Sequence, residues 1–130
     1  DFGIHLGLAF QLQDDYLDAF GDQTTFGKKI GGDIIENKKT ILYHLALKKA
    51  DSNQSNLLNS LMKGDLSCSE KDKISKIQGL FVDTGAKDAT KKAIFYHSDL
   101  ATKKLEKVSI GAKQKISFLK LKNWLMKRTY

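Results

Sequence analysis

Residues 1–20, DFGIHLGLAFQLQDDYLDAF, decide the fold class. On an ideal helix, four polar side chains of this stretch share an arc of about 100°, and two glycines extend the same stripe. The four polar residues are Gln11, Asp14, Asp15 and Asp18, and the glycines are Gly3 and Gly7. Most of the remaining circumference is apolar. Such a helix is typical of a buried position in a larger bundle, so we expect the polar stripe to face an interior cavity.

The three carboxylates of this stripe favour a metal site. They lie within about one helical turn, so they repel one another and are costly to desolvate unless cations or basic side chains are near. Carboxylate oxygens suit Mg²⁺, which binds through one or two carboxylates, waters and substrate phosphates. The alternative is a solvated acidic turn, the commoner setting of an isolated DDxxD. The apolar neighbours favour Mg²⁺ at Asp14, Asp15 and Asp18.

The composition predicts an all-α domain of about six helices. The chain contains no proline and is rich in Leu, Ile, Ala and Lys, which favours helices over strands. Helices are expected at residues 1–20, 33–50, 54–63, 69–84, 86–109 and 112–128, separated by glycines or by Ser/Asn clusters. Asp33 and Ser69 are each followed three residues later by an acidic residue, which predicts two capping boxes.

Charge and cysteine usage limit the partners and the compartment. The net charge of +7 suits an anionic partner such as a diphosphate, a nucleic acid or a membrane surface. The single Cys68 favours a reducing compartment, so we expect a cytoplasmic protein. No apolar run approaches the ~20 residues of a membrane span, so no integral membrane segment is expected. The opening at Asp1, without an initiator Met, suggests a piece of a longer chain.

A basic loop follows the first helix. Residues 27–33 read GKKIGGD, and their backbone N–H groups and lysines could bind phosphate; the alternative is an ordinary mobile surface loop. Asp33 is expected at the next helix cap, alone or with a water-mediated metal contact. Lys38 falls within the apolar arc of the predicted helix 33–50, so we expect a buried anion beside it, unless its stem reaches solvent.

These motifs together resemble the trans-isoprenyl diphosphate synthases, or polyprenyl synthetases. FQxxDDxxD at residues 10–18, GKxxGxD at 27–33 and KxT at 38–40 occur in order. The resemblance is dense over residues 1–45, and after residue 50 it consists only of helical pattern and a basic end. The family's first Asp-rich motif is absent from the sequence.

The resemblance implies a fold and an activity. The fold would be an isoprenoid-synthase-type helical bundle with a central cavity, of which residues 1–130 form the carboxyl-terminal portion. The whole protein would be a homodimeric trans-prenyltransferase. It would condense isopentenyl diphosphate with an allylic diphosphate, giving geranyl, farnesyl, geranylgeranyl or longer products by Mg²⁺-assisted ionisation, condensation and proton loss. The chain alone, with half of the metal clamp, is expected to be inactive.

The resemblance also implies site residues. The metal ligands would be Asp14, Asp15, Asp18 and Asp33. Lys28 would neutralise the departing diphosphate, and Lys38 would support the aspartate cluster or bind phosphate. Phe10 and Gln11 would line the pocket for isopentenyl diphosphate. Lys127 and Arg128 are weaker candidates for the mouth of the active site.

Other residues receive no catalytic role. His5, His44 and His97 lack metal-binding spacing. The aromatic residues at helical spacing, Phe95, Tyr96, Phe118 and Trp124, are expected in the core. Two other hypotheses are a catalytically silent helical subunit and a basic module that binds an acidic partner. Nucleic acid is not expected, because its binders concentrate basic residues without an interleaved carboxylate cluster.

Overall fold

All regular secondary structure in the described part of the chain is helical, which confirms the predicted fold class. The structure, a computed structural model, describes residues 1–22, 29–64 and 67–127. These residues form α1 (Phe2–Phe20), α2 (Gly32–Ile35), α3 (Ile41–Lys49), α4 (Ser52–Lys63), α5 (Glu70–Asp83), α6 (Ala86–Glu106) and α7 (Ala112–Met126). None of the described helices combines the length and hydrophobicity that a membrane crossing requires.

Short polar side chains begin several of these helices. Asp1 accepts a hydrogen bond from the N–H of Gly3 at 2.9 Å. Asp51 and Gln54 form a reciprocal capping box at the start of α4. At α5, the predicted cap Ser69 accepts from the N–H of Asp72 at 3.1 Å. These bonds satisfy N–H groups that have no partner inside the helix, so local sequence fixes the starts of these three helices.

The predicted helix 33–50 is wrong, because the chain forms two helices there. Asn37 has a φ of 58°, in the left-handed region that Asn tolerates better than most residues, and it turns the chain between α2 and α3. Asp33 is not the cap of α2 either, because Gly31, with a φ of 90°, holds that position. The face assigned to Lys38 from continuous helical periodicity therefore does not apply.

The two longest helices, α1 and α6, run antiparallel side by side. The ring of His5 lies against that of His97, and Lys87 lies over the ring of Phe20, 4.6 Å from its centroid. A small apolar cluster of Tyr16, Leu17 and Ile94 joins the two helices. A larger core joins the end of α1 to the next five helices, through residues such as Ile34, Leu42, Leu58, Ile77 and Ala86. This packing holds the carboxyl-terminal end of α1 in place.

Several apolar side chains that were expected to be buried are exposed. On α1, Leu6 is buried but Ile4 is 62% exposed, so other helices of this chain cover only part of the apolar surface of α1. The expected core aromatics are also exposed: Phe95 64%, Tyr96 61%, Phe118 41% and Trp124 70%. Helical spacing placed these rings on helices, but it does not tell which face a neighbouring helix covers.

Candidate active site

The end of α1 and the start of α2 are joined through Asp18. One carboxylate oxygen of Asp18 accepts a hydrogen bond from the N–H of Asp33 at 2.8 Å. The backbone carbonyl of Asp18 accepts from the N–H of Gly31 at 2.6 Å. These two bonds hold the first turn of α2 against α1 and bring Asp33 to the acidic face of α1.

Asp15 is close enough to Asp33 and Asp14 to be affected by their charges. It accepts a hydrogen bond from Gln11 Nε2 at 3.1 Å and another from the N–H of Ile41. Burial is the main cause that raises the pKa of Asp15, and the charges of Asp33 and Asp14 raise it further, while the two hydrogen bonds act in the opposite direction. Carboxylates from α1 and α2 therefore repel one another at a half-buried position.

Lys38 lies beside this group but points to solvent. Its Nζ is 3.3 Å from Asp33 Oδ1 and 3.4 Å from Glu36 Oε2. Both acids raise the pKa of Lys38. Its side chain is 60% exposed, so Lys38 lies at the surface, and the anion expected beside it is Asp33, whose side chain is 21% exposed. The turn at Asn37 gives Lys38 an acidic partner at the surface of the site.

The remaining predicted site residues have different surroundings. Asp14 and Phe10 are half-buried on α1, whereas Gln11 is exposed and directs its amide to Asp15. Lys28 and Arg128 lie outside the described residues, so their roles stay predictions. Lys127 is exposed at the end of α7. Within residues 1–22, 29–64 and 67–127, no three His, Cys, Asp or Glu side chains form a preassembled metal-binding group.

Two supporting residues were missed by sequence reasoning. Gln78 on α5 donates a hydrogen bond from Nε2 to the carbonyl of Ala19 at 2.6 Å, which fixes the last turn of α1 next to Asp18. Lys73, also on α5, donates to the side chain of Asn37, so it supports the turn that presents Lys38. Both contacts join residues far apart in the chain, and no local pattern signals them.

Comparison with known proteins gives the class of this fold. A crystal structure of geranylgeranyl pyrophosphate synthase superimposes with a TM-score of 0.84 and 38% sequence identity, and the match covers 100% of this chain and 40% of that one. Residues 1–78 match the family model for polyprenyl synthetase. The chain belongs to the polyprenyl synthetase family.

Two relatives show how much of such a protein the chain represents. A short chain isoprenyl diphosphate synthase of Methanothermobacter thermautotrophicus is 42% identical over 66 residues, which are 50% of this chain and 20% of that protein. A geranylgeranyl diphosphate synthase of Saccharolobus solfataricus is 34% identical over 115 residues, 87% of this chain and 33% of that protein. The chain therefore spans between a fifth and a third of the length of these two relatives.

Proposed function

We propose that the whole protein containing this chain is a trans-prenyltransferase that condenses isopentenyl diphosphate with an allylic diphosphate. The single observation that carries this proposal is the meeting of α1 and α2 at the Asp18–Asp33 hydrogen bond, 2.8 Å long. Through it, carboxylates from two helices and Lys38 are gathered at one end of the bundle. Membership of the family and relatives named as isoprenyl diphosphate synthases support the choice of reaction.

The acidic residues suit magnesium bound together with a substrate diphosphate. Asp14, Asp15, Asp18 and Asp33 would hold the metal, because all four present oxygen atoms and Asp15 carries a repulsive charge that a cation would relieve. Mg²⁺ normally takes one or two carboxylates and completes its shell with waters and phosphates. The bound metal would stabilise the negative charge that develops on the departing diphosphate.

The basic and polar residues would act on the substrates. Lys38 would exchange its ion pairs with Asp33 and Glu36 for contact with diphosphate oxygens. Lys28, which lies outside the described residues, would add positive charge near the departing diphosphate. Phe10 and Gln11 would line the place for isopentenyl diphosphate. The apolar wall of α1 would keep water from the allylic cation, and the diphosphate oxygens could take the proton, so no protein base is assigned.

Three further expectations belong to this proposal. Homodimer formation, a cytoplasmic location and inactivity of these 130 residues alone stay predictions. Separate measurements test each of them: the mass of the whole protein in solution, its location in cell fractions, and the activity of the isolated chain.

The test is an assay of the whole protein with isopentenyl diphosphate and allylic primers of increasing length. We expect diphosphate release and prenyl diphosphate products with Mg²⁺, loss of both with EDTA, and recovery when Mg²⁺ is restored. If a folded whole protein releases no diphosphate with any primer, the proposed function is wrong. A catalytically silent subunit would then be the better reading.

A further inference from the structure

The excess positive charge of the chain lies entirely in its last 24 residues. Seven of the 22 Lys and Arg residues follow Glu106, and none of the 15 Asp and Glu residues does. Residues 1–106 therefore carry 15 residues of each sign, and the net charge of +7 belongs to residues 107–130. The acidic site and the basic segment are thus separate features of the molecule.

One face of α7 holds this helix on the bundle. Gln13 of α1 donates to the carbonyl of Met126 at 3.2 Å, and the rings of Phe2 and Phe118 lie 5.6 Å apart. Lys122 donates to Thr102 Oγ1 at 2.6 Å. These contacts orient α7 against α1 and α6 and determine which side faces outward.

The outward face of α7 carries lysines and apolar side chains in alternation. Its members are spaced three or four residues apart, so they form one stripe about 21 Å long. In order along the helix they are Lys113, Ile116, Lys120, Trp124 and Lys127. All three lysines are exposed, and Ile116 and Trp124 are 52% and 70% exposed. Leu121, 45% exposed, lies beside the stripe.

We infer that this face of α7 docks the protein flat on the surface of a bilayer that contains anionic phospholipids. Lysines attract the negative headgroups, while their aliphatic stems lie along the apolar layer. Trp has an apolar ring with a polar N–H and favours the interface between headgroups and acyl chains. Ile116 and Leu121 would bury apolar area in that layer, whereas they would gain little from a phosphate backbone. The inference does not depend on the proposed enzymatic activity.

The test measures sedimentation of the whole protein with vesicles. We expect binding to phosphatidylglycerol/phosphatidylcholine vesicles in low salt, little binding to phosphatidylcholine alone, and release in about 0.5 M salt because screening weakens the attraction. The double variant Lys113→Gln/Lys120→Gln should lower the partition coefficient on the order of 30-fold. The matched control Lys48→Gln/Lys49→Gln removes two exposed lysines of α3 and should bind as the parent protein does.

A second readout follows the tryptophan itself. Trp124 is the single Trp of this chain, so the difference between the protein and its Trp124→Phe variant isolates its emission. We expect a blue shift with anionic vesicles and a weaker partition for Trp124→Ala. Unchanged helical content and melting temperature would show that the substituted proteins are folded.

Each contrary result overturns the inference and identifies another occupant. Retention of DNA or RNA by the same lysines, without vesicle binding, would assign the stripe to nucleic acid. Concentration-dependent association that Trp124→Ala abolishes, again without vesicle binding, would assign it to a second copy. A Trp124 emission that is already blue-shifted in the absence of vesicles, with no vesicle binding, would assign it to another part of the same protein.

Discussion

The two ends of the chain are built in opposite ways. At the junction of α1 and α2, acidic side chains are partly buried and held by specific contacts, such as the bond from the N–H of Asp33 to Asp18. On α7 no residue within the described range is buried, and the outward lysines and apolar side chains face solvent. The first region thus places its charges through specific hydrogen bonds, whereas the second presents a repeated pattern of exposed lysines and apolar side chains.

The largest effect expected from this difference is on catalysis. Asp14→Ala should lower kcat of the whole protein on the order of 10²- to 10³-fold, because a ligand of the metal that stabilises the leaving group would be lost. Lys113→Gln/Lys120→Gln removes two charges from α7 and should leave kcat unchanged. The measurement is steady-state diphosphate release at saturating Mg²⁺. Equal activity of the two variants would contradict the assignment of Asp14.

A second test compares the contributions of the two regions to stability. Asp18→Ala removes the acceptor of the Asp33 N–H and should cost about 1–3 kcal/mol of unfolding free energy. Asp18→Asn keeps an oxygen at that position and should cost less. Trp124→Ala, at an exposed position, should stay within about 0.5 kcal/mol of the parent. Urea unfolding gives all three values. An Asp18→Ala protein as stable as the parent would contradict the inferred contribution of the Asp18–Asp33 hydrogen bond.

At Asp15 we expect a substitution to increase the stability of the fold rather than decrease it. Its raised pKa means that the folded protein holds this negative charge less readily than the unfolded chain does, so the charge destabilises the metal-free fold at neutral pH. Asp15→Asn should therefore raise stability in EDTA by about 0.5 kcal/mol after allowance for screening by solvent. Thermal unfolding checks this value.

The same variant should lose part of the stabilisation by ligand. Mg²⁺ with inorganic diphosphate should raise the melting temperature less for Asp15→Asn than for the parent protein. Asp99→Asn, on the exposed surface of α6, is the control and should show the full ligand response. A lower melting temperature of Asp15→Asn in EDTA would contradict the repulsion inferred at this position.

The smallest expected effect concerns the contact between α1 and α6. The Nδ1 atoms of His5 and His97 lie 3.2 Å apart. Burial is the main cause that lowers the pKa of His5 below 6.5, and the charges of the neighbouring His97 and Lys104 lower it further. The unfolded chain therefore binds more protons, and stability should fall as the pH decreases through about 6.5 and level off below the pKa of folded His5.

Variants can separate this pair from general acid effects. Melting temperatures between pH 8 and pH 5, near the range in which an ordinary histidine titrates, should vary less for His97→Gln than for the parent. His44→Gln, at an exposed position of α3, should keep the parental slope. If the melting temperature of His97→Gln changes with pH as much as that of the parent, the His5–His97 pair is not the cause of the pH dependence.

The acidic stripe of the candidate site could be predicted from local sequence. The period of α1 placed Asp14, Asp15 and Asp18 on one stripe, because side-chain directions within a helix follow from its fixed turn. The cap at Ser69 could be predicted because it depends on a neighbour only three residues away, whereas the predicted cap at Asp33 was wrong. The predicted face of Lys38 was wrong, because the apolar pattern of the sequence shows no break at Asn37, where the chain turns.

By itself, the sequence determined an all-helical chain, an acidic stripe on its first helix and a basic carboxyl-terminal segment. Only the tertiary structure decided that Asp33 joins that stripe through Asp18, that His5 meets His97, and that the aromatic side chain of Trp124 faces outward. The physical reason is the range of the interactions. Hydrogen bonding within a helix acts over three or four residues, whereas helix packing brings together residues separated by most of the chain.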